Sequence, residues 1–373
     1  MDASIVVGTR PEIVKMAPVV LALREENVSF SLVHTGQHYD HTLSEVFLEE
    51  LGLGSPDAVL DVGSGSQARQ TAEALIRLEE HFAGDPPRLI LVEGDTNTVL
   101  AAALAGVKLG VDIGHVEAGL RSHDLRMPEE HNRRLTDHLS SYLYAPTDLA
   151  SKNLRQEAVW GTVWVTGNTV IDASLRYLPL AEARSGVMDL VPYDQFCLVT
   201  AHRAENVDDP DTLQELVDLL RRAPLPVVYP VHPRAKTRME EAGLYEKVRE
   251  SENVLLLPPV GYFDFLVLMK HATCIVTDSG GIQEEATSPA LRKKVFVFRR
   301  STERPEAVAA GYAKVVGTTA EGVITAMREY LDDPVPPSAP SPYGDGTSGA
   351  QIAALVQEAL AEGPGPLGRK GAI

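Results

Sequence analysis

Residues 273–287 read TCIVTDSGGIQEEAT, which has the form of a buried strand, a glycine turn and a helix. The run CIVT is short, apolar and rich in β-branched residues, so it favours a strand. Asp278 or Ser279 would suit the start of the helix, because their side chains can cap exposed backbone N–H groups. The two glycines that follow would let a ligand approach the backbone closely. The stretch therefore predicts a sheet in which strands lead into helices.

The same alternation of strand and helix extends over nearly the whole chain. Apolar runs predict strands near 4–8, 29–35, 88–93, 112–116, 142–145, 162–166, 195–201, 226–231, 253–257, 273–277, 294–298 and 313–316. Helical patterns include 14–25, 67–83, 96–109, 210–222, 262–271, 281–288 and 320–332. The first strands are continuously apolar, which is typical of a parallel sheet covered on both faces. We predict an α/β protein of two Rossmann-like domains, each with a doubly wound parallel sheet.

The chain length also predicts two domains, since 373 residues exceed one ordinary hydrophobic core. The boundary is expected near 168–192, between the two series of strands. Segment 334–342, PVPPSAPSP, contains five prolines and predicts an extended crossing segment. A last helix near 347–361 can then return to the first domain. We expect an N-terminal domain of residues 1–168 with 347–373, and a C-terminal domain of residues 169–346.

The composition narrows the classes of function. A formal net charge of −18 argues against nucleic acid as a partner, whereas a small anionic ligand responds to the local field of its site. No apolar run approaches the roughly 20 residues of a membrane helix, and no signal-peptide pattern opens the chain. Cys197 and Cys274 lie in apolar runs, which indicates buried thiols and a reducing cytoplasm. HExxH, P-loop and CxxC motifs are absent, so we predict no metal or redox cofactor.

Polar residues collect where the predicted strands end, which is where open parallel sheets bind ligands. These stretches are GTRPE at 8–12, HTGQH at 34–38, EGDT at 93–96, HVEAG at 115–119, TAHR at 200–203, PVHP at 230–233 and TDSGG at 277–281. Helices that merely pack do not require His, Asp or Arg at every strand end. We therefore expect the functional residues in these loops.

Three carboxylates are candidates for proton transfer. Asp95 and Glu117 follow apolar strands, so burial would raise their pKa and permit acid–base work. Glu129 begins a helix after Pro128, where a charge facing the helix dipole is an alternative interpretation. Together in one site, the three carboxylates would indicate proton-transfer chemistry rather than simple binding.

Candidates for binding an anion leave two interpretations open. Ser279 and the following glycines either contact phosphate or form an ordinary helix cap. Arg304, in the loop RRSTERPE at 299–306, either clamps a diphosphate or belongs to a solvated charged loop. Arg10 and Lys15 present a similar choice near the start of the chain. The strand-to-helix context argues against Ser279 as a serine nucleophile.

The motifs, in this order, resemble the non-hydrolysing UDP-N-acetylglucosamine 2-epimerases. They run from GTRPEIVKMAP at 8–18 through EGDTNT, GHVEAGLRS, MPEEHNRR, TAHRAEN, TDSGGIQEEA and STERPEAV to PYGDG at 342–346. The resemblance implies a fold like that of the GT-B glycosyltransferases, with a cleft between the domains, and a cytoplasmic homodimer that supplies polysaccharide biosynthesis. It implies interconversion of UDP-GlcNAc and UDP-ManNAc through anti elimination of UDP, a 2-acetamidoglucal intermediate and re-addition of UDP. No metal or nicotinamide cofactor is implied.

The resemblance also assigns roles to individual residues. It places at UDP the residues Arg10, Lys15, His202, Ser279, Gly280, Gly281, Glu285 and Arg304. It assigns the catalytic chemistry to Asp95, Glu117, Glu129 and His202, with the carboxylates acting at C2. Family members can bind a second UDP-GlcNAc as an activator, at positions that match Gln37, His38, Arg69 and His232. Beside them this chain departs from many bacterial members, because Tyr39 and Asp40 replace an arginine and a glutamate.

Three rival functions share such a fold, and the fold alone does not separate them. A hydrolysing 2-epimerase would admit water and release ManNAc and UDP. A glycosyltransferase would carry the sugar to an acceptor, although no acceptor-site feature is evident. A sugar-nucleotide sensor without catalysis would not need the three carboxylates.

Overall fold

The computed structural model describes residues 2–36, 41–363, 365 and 367. These residues contain two sheets, and every strand pairing within them is parallel. The seven-stranded sheet has the order β3-β2-β1-β4-β5-β6-β7, and the six-stranded sheet has the order β10-β9-β8-β11-β12-β13. The predicted fold class, α/β with two doubly wound parallel sheets, is confirmed.

The first sheet and its helices belong to unit 1, which comprises Met1–Ala173 and Tyr343–Ile373. Its strands are β1 (Ala3–Val7), β2 (Phe30–His34), β3 (Ala58–Val59), β4 (Leu89–Glu93), β5 (Asp112–Val116), β6 (Tyr142–Ala145) and β7 (Thr162–Val165). Its helices are α1 (Arg10–Glu25), α2 (His41–Glu50), α3 (Gln67–Phe82), α4 (Asn97–Lys108), α5 (Pro128–Leu139), α6 (Asp148–Gln156), the start of α7 (Thr169–Arg184) and α16 (Ser348–Ala361). β1, β4 and β5 are buried along their whole length, as continuous apolar runs require.

The second sheet belongs to unit 2, Ser174–Pro342. Its strands are β8 (Cys197–Thr200), β9 (Val227–Pro230), β10 (Val254–Leu257), β11 (Cys274–Thr277), β12 (Val295–Val297) and β13 (Ala313–Val315). Its helices are the rest of α7, a 3-10 turn at Val187–Leu190, α8 (Ala204–Val207), α9 (Pro210–Arg222), α10 (Pro233–Glu241), α11 (Tyr245–Arg249), α12 (Tyr262–His271), α13 (Gly280–Glu285), α14 (Pro305–Ala309) and α15 (Ala320–Asp332). Val199, Tyr229, Val276 and Phe296 of the strands pack with α9 and α15 in one apolar core.

Helix α1 begins four residues earlier than the sequence pattern predicts. Its first turn contains Pro11, whose fixed φ suits the start of a helix. The carboxylate of Glu12 accepts hydrogen bonds from the N–H of Gly8 at 2.8 Å and the hydroxyl of Thr9 at 2.7 Å. These bonds satisfy polar groups of Gly8 and Thr9 just before the helix. The helix can therefore begin before the first residue of the apolar pattern.

Helix α16 packs against α1 within unit 1. Gly349 makes the approach possible, because a methyl group at this position would lie 2.8 Å from Cβ of Pro18. The N–H of Gly349 also donates to the carboxylate of Asp172 at 2.8 Å. Among the described residues, no helix combines the length and apolarity needed to cross a membrane.

Candidate active site

Lys15, on α1, lies between two carboxylates at the carboxyl end of the first sheet. Its Nζ is 3.1 Å from Oε1 of Glu93 and also pairs with Oε2 of Glu117. Asn168 donates its Nδ2–H to the same oxygen of Glu117 at 2.9 Å. The side chains of Glu93, Glu117 and Lys15 are 2%, 7% and 12% exposed. Lys15 and Asn168 therefore fix the Glu117 carboxylate in a nearly dry position.

Burial raises the pKa of two carboxyl groups in this part of unit 1. The pKa of Glu93 stands well above its ordinary range, because burial outweighs the favourable charge of Lys15. Burial also raises the pKa of Glu12 to about 7, although hydrogen bonds from Thr9 and Gly8 oppose the shift. Carboxyl groups of this kind can hold a proton near neutral pH. The sequence does not predict a catalytic role for Glu12 or Glu93. The one feature that could have pointed to Glu93 is its position at the end of the apolar run LILVE.

Glu117 has a left-handed backbone with a φ of 67°, which is rare for a residue with a side chain. Such a conformation costs about 1–3 kcal/mol and persists only where the surroundings impose it. Two residues on, Gly119 has a φ of 87°, and a methyl group there would lie 2.4 Å from the carbonyl oxygen of Ala150. The strained turn after β5 thus aims the Glu117 side chain, and strain of this kind clusters at functional sites.

Asp95 follows β4, the neighbour of β5, and its side chain is 31% exposed. Its Oδ2 accepts from Arg133 twice, from Nε at 3.1 Å and from a terminal nitrogen at 2.5 Å. Asn132 donates to the backbone carbonyl of Asp95 at 3.0 Å. Helix α5 therefore holds both the side chain and the main chain of Asp95.

Glu129 is half-buried in the first turn of α5, beside the fully buried Glu130. The carboxylate of Glu130 accepts from the N–H and hydroxyl of Ser122, at 2.9 and 3.0 Å, and pairs with Arg133 and Arg134. Burial acts to raise the pKa of Glu130, but these hydrogen bonds and charges bring it below its ordinary value. Glu130 thus secures the turn, and Glu129 is the more accessible of the two carboxylates.

Other predicted site residues of unit 1 lie on its surface. Arg10 is exposed at the start of α1, with its guanidinium carbon 5.7 Å from the ring centre of Phe47. Arg69, predicted for an activator site, is exposed in the first turn of α3. Gln37 and His38, predicted for the same site, lie outside the described residues.

In unit 2, Asp278 holds the loop that follows β8. Its buried carboxylate accepts from the backbone N–H groups of His202 and Arg203, both at 2.9 Å, and from Asn206 at 3.0 Å. The His202 ring pairs with the other oxygen of this carboxylate. Burial acts to raise the pKa of Asp278, but the hydrogen bond and charge of His202, with the other donors, hold it at about 2. Asp278 is therefore a fixed anion that orients His202.

His202 remains accessible in this arrangement, with a side chain 42% exposed. Its ring centre lies 5.6 Å from that of His232, the histidine of the PVHP stretch. Burial and the neighbouring His202 lower the pKa of His232. A ring held on one side by a carboxylate can present its other nitrogen to a ligand.

The glycine turn of the DSGG stretch lies beside Arg304. Ser279 and Gly281 are half-buried, and a methyl group on Gly280 would stand 3.4 Å from the Arg304 guanidinium. Arg304 is itself buried and pairs with the fully buried Glu284 of α13. The arrangement places a held cation next to an accessible backbone turn, which suits an anionic ligand.

The 299–306 loop is more buried than a solvated charged loop would be. Arg299, Glu303 and Arg304 are all buried. Glu303 pairs with Arg299 at 2.6 Å and with Arg203 at 2.9 Å. Burial acts to raise the pKa of Glu303, but the charges of Arg304, Arg203 and Arg299 hold it at about 2.

Glu285, predicted to bind a ribose, is buried on α13 and accepts a hydrogen bond from the Tyr262 hydroxyl at 2.7 Å. Sequence reasoning missed Tyr262, because nothing in the pattern of α12 marks one aromatic residue above another. Across the ranges described, no group of three or more His, Cys, Asp or Glu side chains is placed to hold a metal ion.

Comparison with known proteins gives matches along nearly the whole chain. A family model described as UDP-N-acetylglucosamine 2-epimerase matches residues 21–357. The UDP-N-acetylglucosamine 2-epimerase of Methanocaldococcus jannaschii is 41% identical over 365 residues, which cover 95% of this chain and 99% of that protein. A crystal structure of the UDP-GlcNAc 2-epimerase from M. jannaschii, in complex with UDP-GlcNAc and UDP, superposes with a TM-score of 0.88 at 41% identity and covers 96% of this chain and all of that one.

A further relative has a different named substrate. The UDP-2,3-diacetamido-2,3-dideoxy-D-glucuronate 2-epimerase of Pseudomonas aeruginosa is 37% identical over 355 residues, which cover 93% of this chain and 97% of that protein. The reaction named is again a 2-epimerisation of a UDP-sugar, with other groups on the sugar ring.

Proposed function

The chain belongs to the UDP-N-acetylglucosamine 2-epimerase family, and on this premise we propose that it interconverts UDP-GlcNAc and UDP-ManNAc by inverting C2. The observation that carries the proposal is the pair of held carboxylates, Asp95 and Glu117, at the ends of the adjacent strands β4 and β5. Inversion at C2 requires a base that removes the proton and an acid that returns one to the opposite face. Two carboxylates in different surroundings suit these two tasks.

The proposed reaction passes through loss and return of UDP. A carboxylate takes the C2 proton, the electrons of the C–H bond form a C1–C2 double bond, and the C1–O bond breaks to release UDP in an anti elimination. The intermediate is 2-acetamidoglucal. UDP then adds back at C1 while a second group delivers a proton to the opposite face of C2. The carboxylates proposed for these steps are Asp95, Glu117 and Glu129.

The groups proposed for UDP lie mainly in unit 2. Ser279, Gly280 and Gly281 would contact the diphosphate beside Arg304, and Arg10 and Lys15 of unit 1 would add positive charge as UDP leaves. Glu285, oriented by the Tyr262 hydroxyl, would accept from the ribose hydroxyls. His202, held by Asp278, would donate to a phosphate oxygen and so stabilise the leaving group.

The homodimer and the activator site are finer parts of the same proposal. The activator would bind at Gln37, His38, Arg69 and His232. A sigmoidal dependence of the rate on UDP-GlcNAc, which Arg69→Ala converts to a hyperbolic one, is the expected result. Sedimentation velocity of the full chain is expected to show a dimer.

Proton NMR of UDP-GlcNAc incubated with the pure protein in D2O tests the central proposal. We expect UDP-ManNAc with deuterium at C2 and with UDP still attached, because the returned proton comes from a carboxyl group that exchanges with solvent. Net formation of free UDP and ManNAc would instead identify a hydrolysing epimerase. The absence of exchange at C2 would refute the proposal. UDP-2,3-diacetamido-2,3-dideoxy-D-glucuronate belongs in the same panel, and faster exchange with it would reassign the substrate.

A further inference from the structure

His115, in the middle of the first sheet, forms a hydrogen bond from each side of its ring. Its side chain is fully buried in β5. Nε2 lies 2.8 Å from the carbonyl oxygen of Gly94, and Nδ1 lies 2.8 Å from Oδ1 of Asp137. A carbonyl oxygen only accepts hydrogen bonds, so Nε2 carries the proton that it donates to Gly94. The ring is thus fixed in orientation by partners on two different elements.

The first of these partners is the residue directly before Asp95. Gly94 has a φ of 82° and donates its own N–H to the carbonyl of Val116 at 3.2 Å. Both backbone groups of Gly94 are therefore bonded to β5, one of them through His115. The position of the Asp95 main chain depends on this attachment and on the hydrogen bond from Asn132.

The second partner reaches the turn that carries Glu117. Oδ2 of Asp137 accepts from the N–H of Gly119 at 3.3 Å and pairs with Arg121 at 2.7 Å. Gly119 closes the strained turn in which Glu117 has its left-handed backbone. One buried carboxylate on α5 thus touches this turn and, through His115, the turn of Asp95.

The network is closed by a further ion pair. Arg121 donates to both carboxylate oxygens of Glu157, at 3.0 and 2.7 Å. No side-chain surface is exposed at His115, Asp137 or Arg121. The side chain of Glu157, at the outer end of the network, is 24% exposed. Buried networks with satisfied partners are rigid, and removal of one member leaves a buried polar group without compensation.

We propose that His115 and Asp137 are positioning residues that hold the Asp95 turn and the Glu117 turn in register for chemistry at C2. Neither residue is assigned a contact with the substrate. The inference rests on the proposed function and deepens it, because it identifies what sets the separation of the two carboxylates. A shift of about 1 Å between reacting groups can cost on the order of 100-fold in rate.

Kinetics of three variants test the proposal. His115→Leu removes both hydrogen bonds, His115→Gln keeps an amide N–H that can reach the Gly94 carbonyl, and Asp137→Asn weakens the link to Gly119. We expect kcat for C2 epimerisation to fall roughly 10- to 100-fold in His115→Leu and Asp137→Asn, with KM and the UDP dissociation constant within about twofold of wild type. His115→Gln is expected to recover a substantial part of kcat. His81→Gln, an exposed histidine at the end of α3, is the matched control.

The outcomes separate this inference from the proposed function. A wild type without C2 exchange refutes the function itself. A wild type that exchanges, with His115→Leu or Asp137→Asn folded and equally fast, refutes the positioning role, as does a loss confined to KM. Long-range proton–nitrogen NMR of the 15N-labelled wild type tests the hydrogen bond to Gly94, on which the positioning role depends, even if the variants do not fold. A proton on Nε2 of His115 is expected, and a neutral ring with its proton on Nδ1 alone would overturn the proposal.

Discussion

Nδ1 of His202 lies 3.0 Å from Oδ1 of Asp278, while the other oxygen of the same carboxylate accepts the backbone N–H of His202. The first residue of the DSGG stretch is therefore an anchor for the loop after β8. In the turn that follows, Ser279 and Gly281 are half-buried, whereas Gly280 is buried. The end of β11 thus orients His202 and leads directly into the turn proposed to contact the diphosphate.

Replacement of Asp278 tests the anchor. Its folded pKa of about 2 lies below its ordinary value of 3.8, so its contribution to stability is present above about pH 4 and is lost as the pH falls through 2. The shift corresponds to roughly 2 kcal/mol in the free energy of unfolding. We expect Asp278→Asn to unfold more easily at pH 7 by about that amount and to lose less stability than wild type between pH 4 and pH 2.

Urea unfolding followed by circular dichroism at several pH values measures this difference. Asp218→Asn, a change in α9 of the same unit outside this network, is the control. Equal stability of Asp278→Asn and wild type across the range would mean that the hydrogen bonds at Asp278 add nothing net.

Asp95→Asn tests the assignment of chemistry to unit 1. The change preserves shape but removes the charge and the basic oxygen, so kcat is expected to fall at least 100-fold, within the usual contribution of a general acid or base. UDP affinity should stay within about twofold, because the groups proposed for UDP are elsewhere. The C2 exchange rate and UDP titration calorimetry measure the two effects. Asp85→Asn, in an exposed loop, serves as control, and unchanged turnover in Asp95→Asn would remove Asp95 from the catalytic set.

The packing of the last helix on α1 predicts a specific sensitivity at Gly349. In Gly349→Ala the added methyl group would meet the carbonyl carbon and Cβ of Pro18 at 2.8 Å, too close for a carbon contact. We expect a loss of roughly 1–3 kcal/mol in the free energy of unfolding. Gly84→Ala, where a methyl group would meet nothing within 4 Å, should change stability little. Thermal unfolding checks both, and equal midpoints for the two variants would show that α16 moves away without cost.

Much of the fold could be predicted because each strand of a buried parallel sheet corresponds to a continuous apolar run in the sequence. The strands of both sheets coincide with apolar stretches of the sequence, apart from the two-residue strand β3, which is too short to form a pattern. Helix α1 starts earlier than its periodicity because Glu12 and Thr9 close its first turn through side chains. The spacing of apolar residues alone therefore predicts a start of α1 that is too late, because it does not include these side-chain hydrogen bonds.

The contacts within the candidate site are harder to predict from the sequence, because the residues that make them are far apart in the chain. The ends of strands can be located from the sequence, and this is why Asp95, Glu117 and Ser279 could be predicted as candidates. Lys15 pairs with Glu117, which is 102 positions further along the chain, and no local sequence pattern predicts that contact. The same holds for Glu93, whose burial beside Lys15 emerges only when β1, β4 and β5 lie side by side.

Glu12 gives a prediction with the opposite dependence on pH. Burial raises its folded pKa from 4.5 to about 7, so the favourable state is the protonated one. Its contribution to stability is fully present below about pH 4.5 and is lost as the pH rises to 7, by roughly 3 kcal/mol. Glu12→Gln keeps an oxygen that can accept from Gly8 but does not ionise. We therefore expect this variant to lose less stability than wild type between pH 4.5 and pH 7, measured by urea unfolding.

Glu25→Gln is the matched control, because Glu25 is exposed at the other end of the same helix and should leave the pH dependence as in wild type. If Glu12→Gln and wild type instead show parallel stability curves over this range, Glu12 is ionised throughout, and the hydrogen bonds from Gly8 and Thr9 are then strong enough to offset its burial.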